Sequence, residues 1–263
     1  MKRVIAAIDD SAASHPVCDA ALALAGMFDA GLEAIHVREG DGAHVARAIA
    51  TASGVAYREV DGPVEKALIE EASAEDVVGL VLGARATPGG RRPAGHTALN
   101  VILSADKPVA IVPPEARVPQ AFDRVLVPLD GSTESSHAVA ELIRLACRGE
   151  LDVLILHVLD AASIPLFEDQ PQYEMEAWIQ EFLTRHCPTR TARAEVRVGV
   201  PGQEIMTVAL EAGSDMIALG WSQDLGPRRA AVVTEVLQHA TVPVLLLPIS
   251  PSVALEGEDL GGS

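Results

Sequence analysis

Short, mostly aliphatic runs alternate along this chain with stretches whose apolar positions recur at helical spacing. In the first half the runs are Arg3–Ile8 (RVIAAI), Leu32–Val37 (LEAIHV), Val55–Val60, Val77–Leu82 and Val109–Val112. Each reads as a strand. Between the first two, Val17, Ala20, Ala21, Leu24, Ala25 and Phe28 mark the buried side of a helix beginning near Ser14. A short helix fits residues 41–52, and Val64, Ala67, Leu68 and Ala72 fit another over Val64–Ala72. Gly31 and Asp61-Gly62-Pro63 supply the turns. Strands that alternate with helices in this way predict parallel βαβ units with right-handed crossovers. Ligands in such sheets bind at the carboxyl ends of the strands, where the strand order reverses. Asp9 and Gly83 both fall at such ends.

The pattern then starts again. Arg124–Leu129 (RVLVPL) leads into Asp130-Gly131-Ser132, with a helical pattern over Ser135–Cys147 and a strand at Leu151–Val158. Met216–Leu219 leads into Gly220 as Leu80–Leu82 leads into Gly83, and PVLLLP at Pro243–Pro248 matches PVAIVP at Pro108–Pro113. Asp9 to Asp130 and His36 to His157 are both offsets of 121, whereas Gly83 to Gly220 is 137 and Pro108 to Pro243 is 135. The second copy therefore carries about 16 extra residues between its second and third strands, within Ala161–Thr191, where a helix fits Tyr173–His186. The expected organisation is one unit at 1–113, a Pro-bearing linker at 114–122, a second unit at 123–249 and an acidic disordered tail at 250–263.

Composition narrows the classes. Hydrophobic residues make up 49% of the 263 and aromatics only 3%, so the core must be built from aliphatic side chains, as in helix-covered parallel sheets. A formal net charge of -17 argues against nucleic acid or an anionic membrane surface as partner. The cysteines at 18, 147 and 187 have neither disulfide nor zinc spacing, and Cys18 and Cys147 read as small buried residues. Asp9 and Asp10 cut short the apolar run after Lys2-Arg3, and no run approaches the roughly 18 residues of a membrane span, so a cytoplasmic location is expected.

Candidate chemistry concentrates in Val81–Pro114, which reads strand, glycine-rich loop, helix, strand. Gly83, Gly89, Gly90 and Gly95 leave backbone amides approachable, the helix after Gly95 turns its positive end to the loop, and Arg85, Arg91 and Arg92 add cationic charge. Such a segment suits a phosphate; a surface loop with solvated arginines is the alternative. The Asp9-Asp10 pair reads as helix-capping rather than catalytic, and His36 and His157 as packed structural histidines. His44 and His186 belong to no metal spacing. Neither a P-loop nor a nucleophile elbow is present.

Asp9, Ser11 and Ser14 (D-x-S-x-x-S), His36-Val37, and the spacing from Gly83 to Gly95-His96-Thr97, followed by Asp130 to Ser135, His157-Val158 and DMIALG at Asp215–Gly220, resemble the universal stress protein family in tandem. The resemblance implies an α/β, Rossmann-like fold of two domains, each a five-stranded parallel sheet of order 3-2-1-4-5 with helices on both faces. It also implies pairing through the fifth strands, here Val109–Val112 against Val244–Leu247, and ATP binding in many members.

Carried over, Asp9 and Val37 meet the adenine and ribose, Gly83 lets the triphosphate approach, and the amides around His96, Thr97 and Ala98 after Gly95 receive phosphate oxygens. Arg85 adds charge there, and Mg accompanies the ATP. The family's loop is departed from at Ala86, which replaces a glycine, at a spacer one residue short, and at His96 in place of Ser or Thr. In the second copy Gln223, Val232 and Val233 depart further, so the first copy is the expected nucleotide site and Asp130-Gly131-Ser132 an expected helix cap. The leading expectation is a stress-response regulatory module binding an adenine nucleotide, with at most slow ATP hydrolysis. The alternative is a nucleotide-independent interaction module with an unidentified protein partner, as a single chain or a homodimer. The third reading, an enzyme acting on a nucleotide-linked substrate, has only fold analogy behind it.

Overall fold

The structure, a computed structural model, describes residues 1–38, 44–84, 95–132, 135–140, 151–160, 192–223 and 229–249, with residues 177, 181 and 184. Arg85, the rest of the glycine-rich loop, Cys147, Cys187, most of the insertion with its expected helix, and the expected tail lie outside the described residues.

The first half runs β1 (Arg3–Ala7), α1 (Ser14–Met27), β2 (Gly31–Arg38), α2 (His44–Ala52), β3 (Ala56–Asp61), α3 (Val64–Ala72), β4 (Val77–Gly83), α4 (His96–Ser104) and β5 (Val109–Val112). The second half has β6 (Arg124–Leu129), a helical stretch at 135–140, β7 (Asp152–Leu159), β8 (Ala192–Val198), α5 (Pro201–Glu211), β9 (Met216–Trp221), α6 (Arg229–His239) and β10 (Val244–Pro248).

The ten strands form one sheet of order β3-β2-β1-β4-β5-β10-β9-β6-β7-β8. Each half contributes the order 3-2-1-4-5, and all pairings within a half are parallel. Each half has the expected five-stranded parallel set, and the two sets make one continuous sheet rather than two. β5 and β10 pair antiparallel, Val109 opposite Leu246, Ala110 opposite Leu245 and Ile111 opposite Val244, and so join both sets. The reason is that each fifth strand is an aliphatic edge with unpaired backbone groups, and pairing the two edges removes both.

Strand alternation sorts the aliphatic residues into two cores, one per face. Val4, Ala6 and Ile8 of the first half join Val125, Val127 and Leu129 of the second beneath α1 and α2. On the opposite face, Ile5, Leu80 and Ile111 join Leu126, Ile217 and Leu246 against α3 to α6. Each core crosses the β5–β10 seam without interruption. The junction also packs: Phe122 is buried in the first core, with Ala116 and Val118 lying against it. Cys18 is buried there too, and burial pushes its thiol up to about 11.

Beside α3, Arg58 of β3 donates to Glu33 of β2 (3.0 Å) and to both carboxylate oxygens of Glu71 (2.8 and 2.7 Å). That hydrogen bonding from Arg58 holds Glu71 below its ordinary value of 4.5. A depressed carboxylate contributes stability above its unfolded pKa and loses it as pH falls through the folded one. The denaturant midpoint of the protein should therefore drop between pH 7 and the acid side of 4.5, and Glu71→Gln should flatten that drop. At the seam, Leu246 is 1% exposed, and Leu246→Ala should cost roughly 3 kcal/mol in chemical denaturation.

Candidate functional site

β1 ends at Ala7 and β4 at Gly83, and the sheet reverses its strand order between them. A cavity of about 600 Å³ opens at these carboxyl ends. Its floor is Ala7, Ile8, Gly83 and Ala84; one wall is the end of β2 with Val64 and Leu68 of α3, and the other is Gly95 with the first turn of α4. Seven of the eight residues singled out in the sequence line it together: Asp9, Val37, Gly83, Gly95, His96, Thr97 and Ala98. The eighth, Arg85, lies outside the described residues.

The two carboxylates at the mouth do separate structural work. Asp9 Oδ1 accepts from Ser11 N–H (3.0 Å) and Ser11 Oγ (2.5 Å), which closes the turn before α1. Ser14 Oγ accepts Asp9 N–H and lies 2.9 Å from both Asp9 O and Oδ1, one of which takes its proton. Among the described residues Asp9 Oδ2 makes no protein hydrogen bond. Asp10 Oδ1 instead accepts from Val45 N–H (3.1 Å) and Ala46 N–H (2.8 Å), the first turn of α2. It supplies from 35 residues away what a local cap residue would supply. In the second half Ser132 does the capping locally: its Oγ accepts Ser135 N–H at 3.2 Å.

His36 lines the cavity with its Nδ1 2.9 Å from Ile8 O. A carbonyl only accepts, so the neutral ring carries its proton on Nδ1. His157 repeats the contact with Leu129 O at 2.7 Å and is buried. The bond ties the second strand of each half to the end of the first, which is why a histidine recurs at the same offset.

At the α4 end, Gly95 N–H donates to Ala84 O (2.7 Å), anchoring the helix start to the end of β4. α4 has no side-chain cap, so the amides of His96, Thr97 and Ala98 at the cavity wall are those a helix leaves without intrahelical acceptors. Gly95 is in extended conformation, φ −64 and ψ 161. Among the described residues, a Cβ built on it would meet only Ala84 O, at 3.5 Å. The backbone therefore does not demand glycine here.

A residue missed from the sequence governs His96. Glu65, in the first turn of α3, accepts from His96 Nδ1 (2.7 Å) through Oε1 and from Asn100 Nδ2 (2.8 Å) through Oε2. These two hydrogen bonds, Asn100's first, hold Glu65 below the usual carboxylate range. The His96 side chain is thus tied to α3, and the phosphate-suited feature at this position is the backbone amide. Only the three-dimensional approach of α3 to α4 reveals this. The charged side chains described on the lining are Asp9 and Asp10, so positive potential there comes from the α4 terminus.

Among the described residues, the matching strand end of the second half is covered. A Cβ on Gly220, the counterpart of Gly83, would lie 3.2 Å from Ile249 Cδ1 and 3.4 Å from Ser135 Cα, so Ile249 already covers this strand end. α6 begins at Arg229, which puts Val233 beyond the four residues whose amides lack intrahelical acceptors. Beyond Gly220, Trp221 is buried and its Nε1 donates to Ile102 O of α4 at 3.2 Å. Gln223 sits at φ +58, the left-handed region that suits the glycine it replaces, and its Nε2 donates to Ala105 O. The end of β9 and the residues just after it are built into the contact between halves.

Among the described residues no group of three His, Cys, Asp or Glu side chains is placed to hold a metal ion, and no helix is long and apolar enough to cross a membrane. Residues 121–248 match the model of the universal stress protein family. A universal stress protein from Archaeoglobus fulgidus DSM 4304 superposes with a TM-score of 0.67 at 16% identity, covering 94% of this chain and 96% of its own. A functionally unknown protein from Pseudomonas aeruginosa PAO1 superposes with a TM-score of 0.66 at 14% identity, covering 95% and 93%. A universal stress protein in complex with cAMP covers 49% of this chain and 98% of its own at 19% identity, with a TM-score of 0.40. At these identities the likeness is one of fold. No curated protein matches the chain.

Because Asp10 is the remote cap of α2, Asp10→Ala should lower stability by about 1 kcal/mol in denaturant unfolding. Asp10→Asn, which keeps the acceptor, should recover most of it.

Proposed function

This chain belongs to the universal stress protein family, by the match of residues 121–248 and the same fold repeated in its first half, and we propose that the first half binds an adenine nucleotide, ATP, as a stress-response regulatory module. The units in this reading are residues 1–113 and 123–249, joined by 114–122. The observation that carries it is the cavity lined by Asp9, Val37, Gly83 and the uncapped first turn of α4. Its volume of about 600 Å³ is that of a small-molecule site. Val37, Val64 and Leu68 offer an apolar slot for the base, and Asp9 Oδ2 an acceptor for ribose hydroxyls. The His96, Thr97 and Ala98 amides offer donors, and the positive end of a helix, for phosphate oxygens. Arg85 would add its charge from the loop. Any magnesium would be carried by the phosphates, since the described side chains offer no ligand cluster. Ser14 Oγ and Asp9 Oδ1 touch on the described lining at 2.9 Å, but that bond helps close the turn into α1, so the reading is binding and release, with hydrolysis slow at most.

A second reading, a nucleotide-independent interaction module, is favoured by one observation: Glu65 brings a carboxylate to the end where the phosphates would lie. Two measurements separate them. Denatured purified protein should release an adenine nucleotide on chromatography, or millimolar ATP should raise the melting temperature by several degrees, since a ligand at 100 times its Kd adds about 2.7 kcal/mol. Neither outcome occurring would sink the nucleotide reading. Gly95→Ala should leave the unliganded fold within about 1 kcal/mol of the parent, and weaken ATP roughly tenfold by placing a methyl group where phosphate approaches the amides. An unchanged affinity would remove α4 from the site.

A further inference from the structure

We infer that Trp221 and Gln223 of the second half are positioning residues for the ligand site of the first, acting through α4. The part of this that concerns ATP rests on the nucleotide reading above; the part that concerns α4 does not. α4 is nine residues long, with its first turn forming a wall of the cavity and its last turn facing the second half. A helix this short is unstable alone and takes its position from what holds its ends. At the cavity end the anchor is Gly95 N–H on Ala84 O. At the far end, Val101 O is taken by Ala105 N–H within the chain's own turn, and the next two anchors come from the last residue of β9 and the loop after it. Trp221 Nε1 donates to Ile102 O at 3.2 Å, and Gln223 Nε2 to Ala105 O.

Three features mark these contacts as a built latch rather than incidental packing. Trp221 is 4% exposed, so its indole N–H is withdrawn from water and must find an acceptor inside the protein. Gln223 holds a left-handed backbone conformation that a glycine would adopt without strain, and in that conformation its amide reaches Ala105 O. Among the described residues the latch is also one-way. The residues 137 positions earlier, matching Trp221 and Gln223, are Ala84 and Ala86, whose methyl side chains donate nothing. The helix matching α4 is α6, where His239 bonds Glu235 O of its own helix at 3.0 Å. The half with the open cavity is held, and the half with the covered strand end does the holding. Donors at the carboxyl end of α4 and an anion at its amino end would act on one helix dipole.

The test uses the full chain as wild type, Trp221→Phe, Gln223→Ala and Val208→Ala, the last a truncation of a buried residue in α5 as a matched destabilisation. Amide hydrogen exchange without ligand should show α4 losing protection by about tenfold in both latch variants, through to Leu99 at the cavity end, with its relative protection unchanged in Val208→Ala. Calorimetry with ATP should show Kd raised about fivefold in Trp221→Phe, the scale of one lost hydrogen bond, and unchanged in Val208→Ala. Exchange altered only at Ala105, equal loss in Val208→Ala, or an ATP Kd unaffected by Trp221→Phe would each overturn the latch. If wild type binds no ATP, the nucleotide reading falls and the exchange data alone decide the latch.

Discussion

Val109, Ala110 and Ile111 of β5 face Leu246, Leu245 and Val244 of β10 across an antiparallel ladder, and the rest of the molecule hangs on that pairing. It closes the only edge that each half would otherwise expose at its fifth strand. It also brings the two sets of alternating side chains into register, so that both cores continue across it. Because the strands are antiparallel, the halves meet head to tail about the seam, and the end of β9 with the residues after it is carried to the far end of α4. Without the ladder neither Trp221 nor Gln223 would have a partner.

The two halves share a frame and differ in what they do with it. At the reversal of strand order the first half leaves a cavity between β1, β2, β4 and α4. At the same place the second half sets Ile249 and Ser135 over Gly220 and starts its helix early. These are small changes in side-chain bulk and helix length, yet among the described residues they cover a strand end that the first half leaves open. Function on such a fold is decided at the loops rather than by the sheet.

The polar groups around the cavity mostly serve the fold first. Asp10 is consumed by α2, Asp9 Oδ1 by the turn into α1, and His36 Nδ1 by Ile8 O. What remains for a ligand is Asp9 Oδ2, an apolar slot and the α4 amides. That residue of unused capacity is a more selective guide to the site than the presence of charged side chains, since the described lining is acidic.

Much of this was readable from residue order. Aliphatic runs too short for helices, separated by helical repeats, determined parallel βαβ units, and recurrence of Asp, His-Val and Gly at fixed offsets determined two copies. The period of the pattern is a local property, so it survives without coordinates. The glycines at 83 and 95 and the residues after them also pointed to one crevice, because strand ends and helix starts of one sheet must converge there. Three matters needed the tertiary structure. The resemblance implied that the fifth strands meet, but their antiparallel register, Val109 opposite Leu246, which joins the two sets into one sheet, is a property of the folded pair of halves. The grip of Glu65 on His96 joins residues 31 apart on different helices, and the helical spacing of neither encodes it. Trp221 and Gln223 look in sequence like decay of a glycine loop; only their acceptors, 119 and 118 residues away in α4 and just after it, identify them as a contact, because a hydrogen bond across a seam is a property of the folded pair of halves and of neither segment alone.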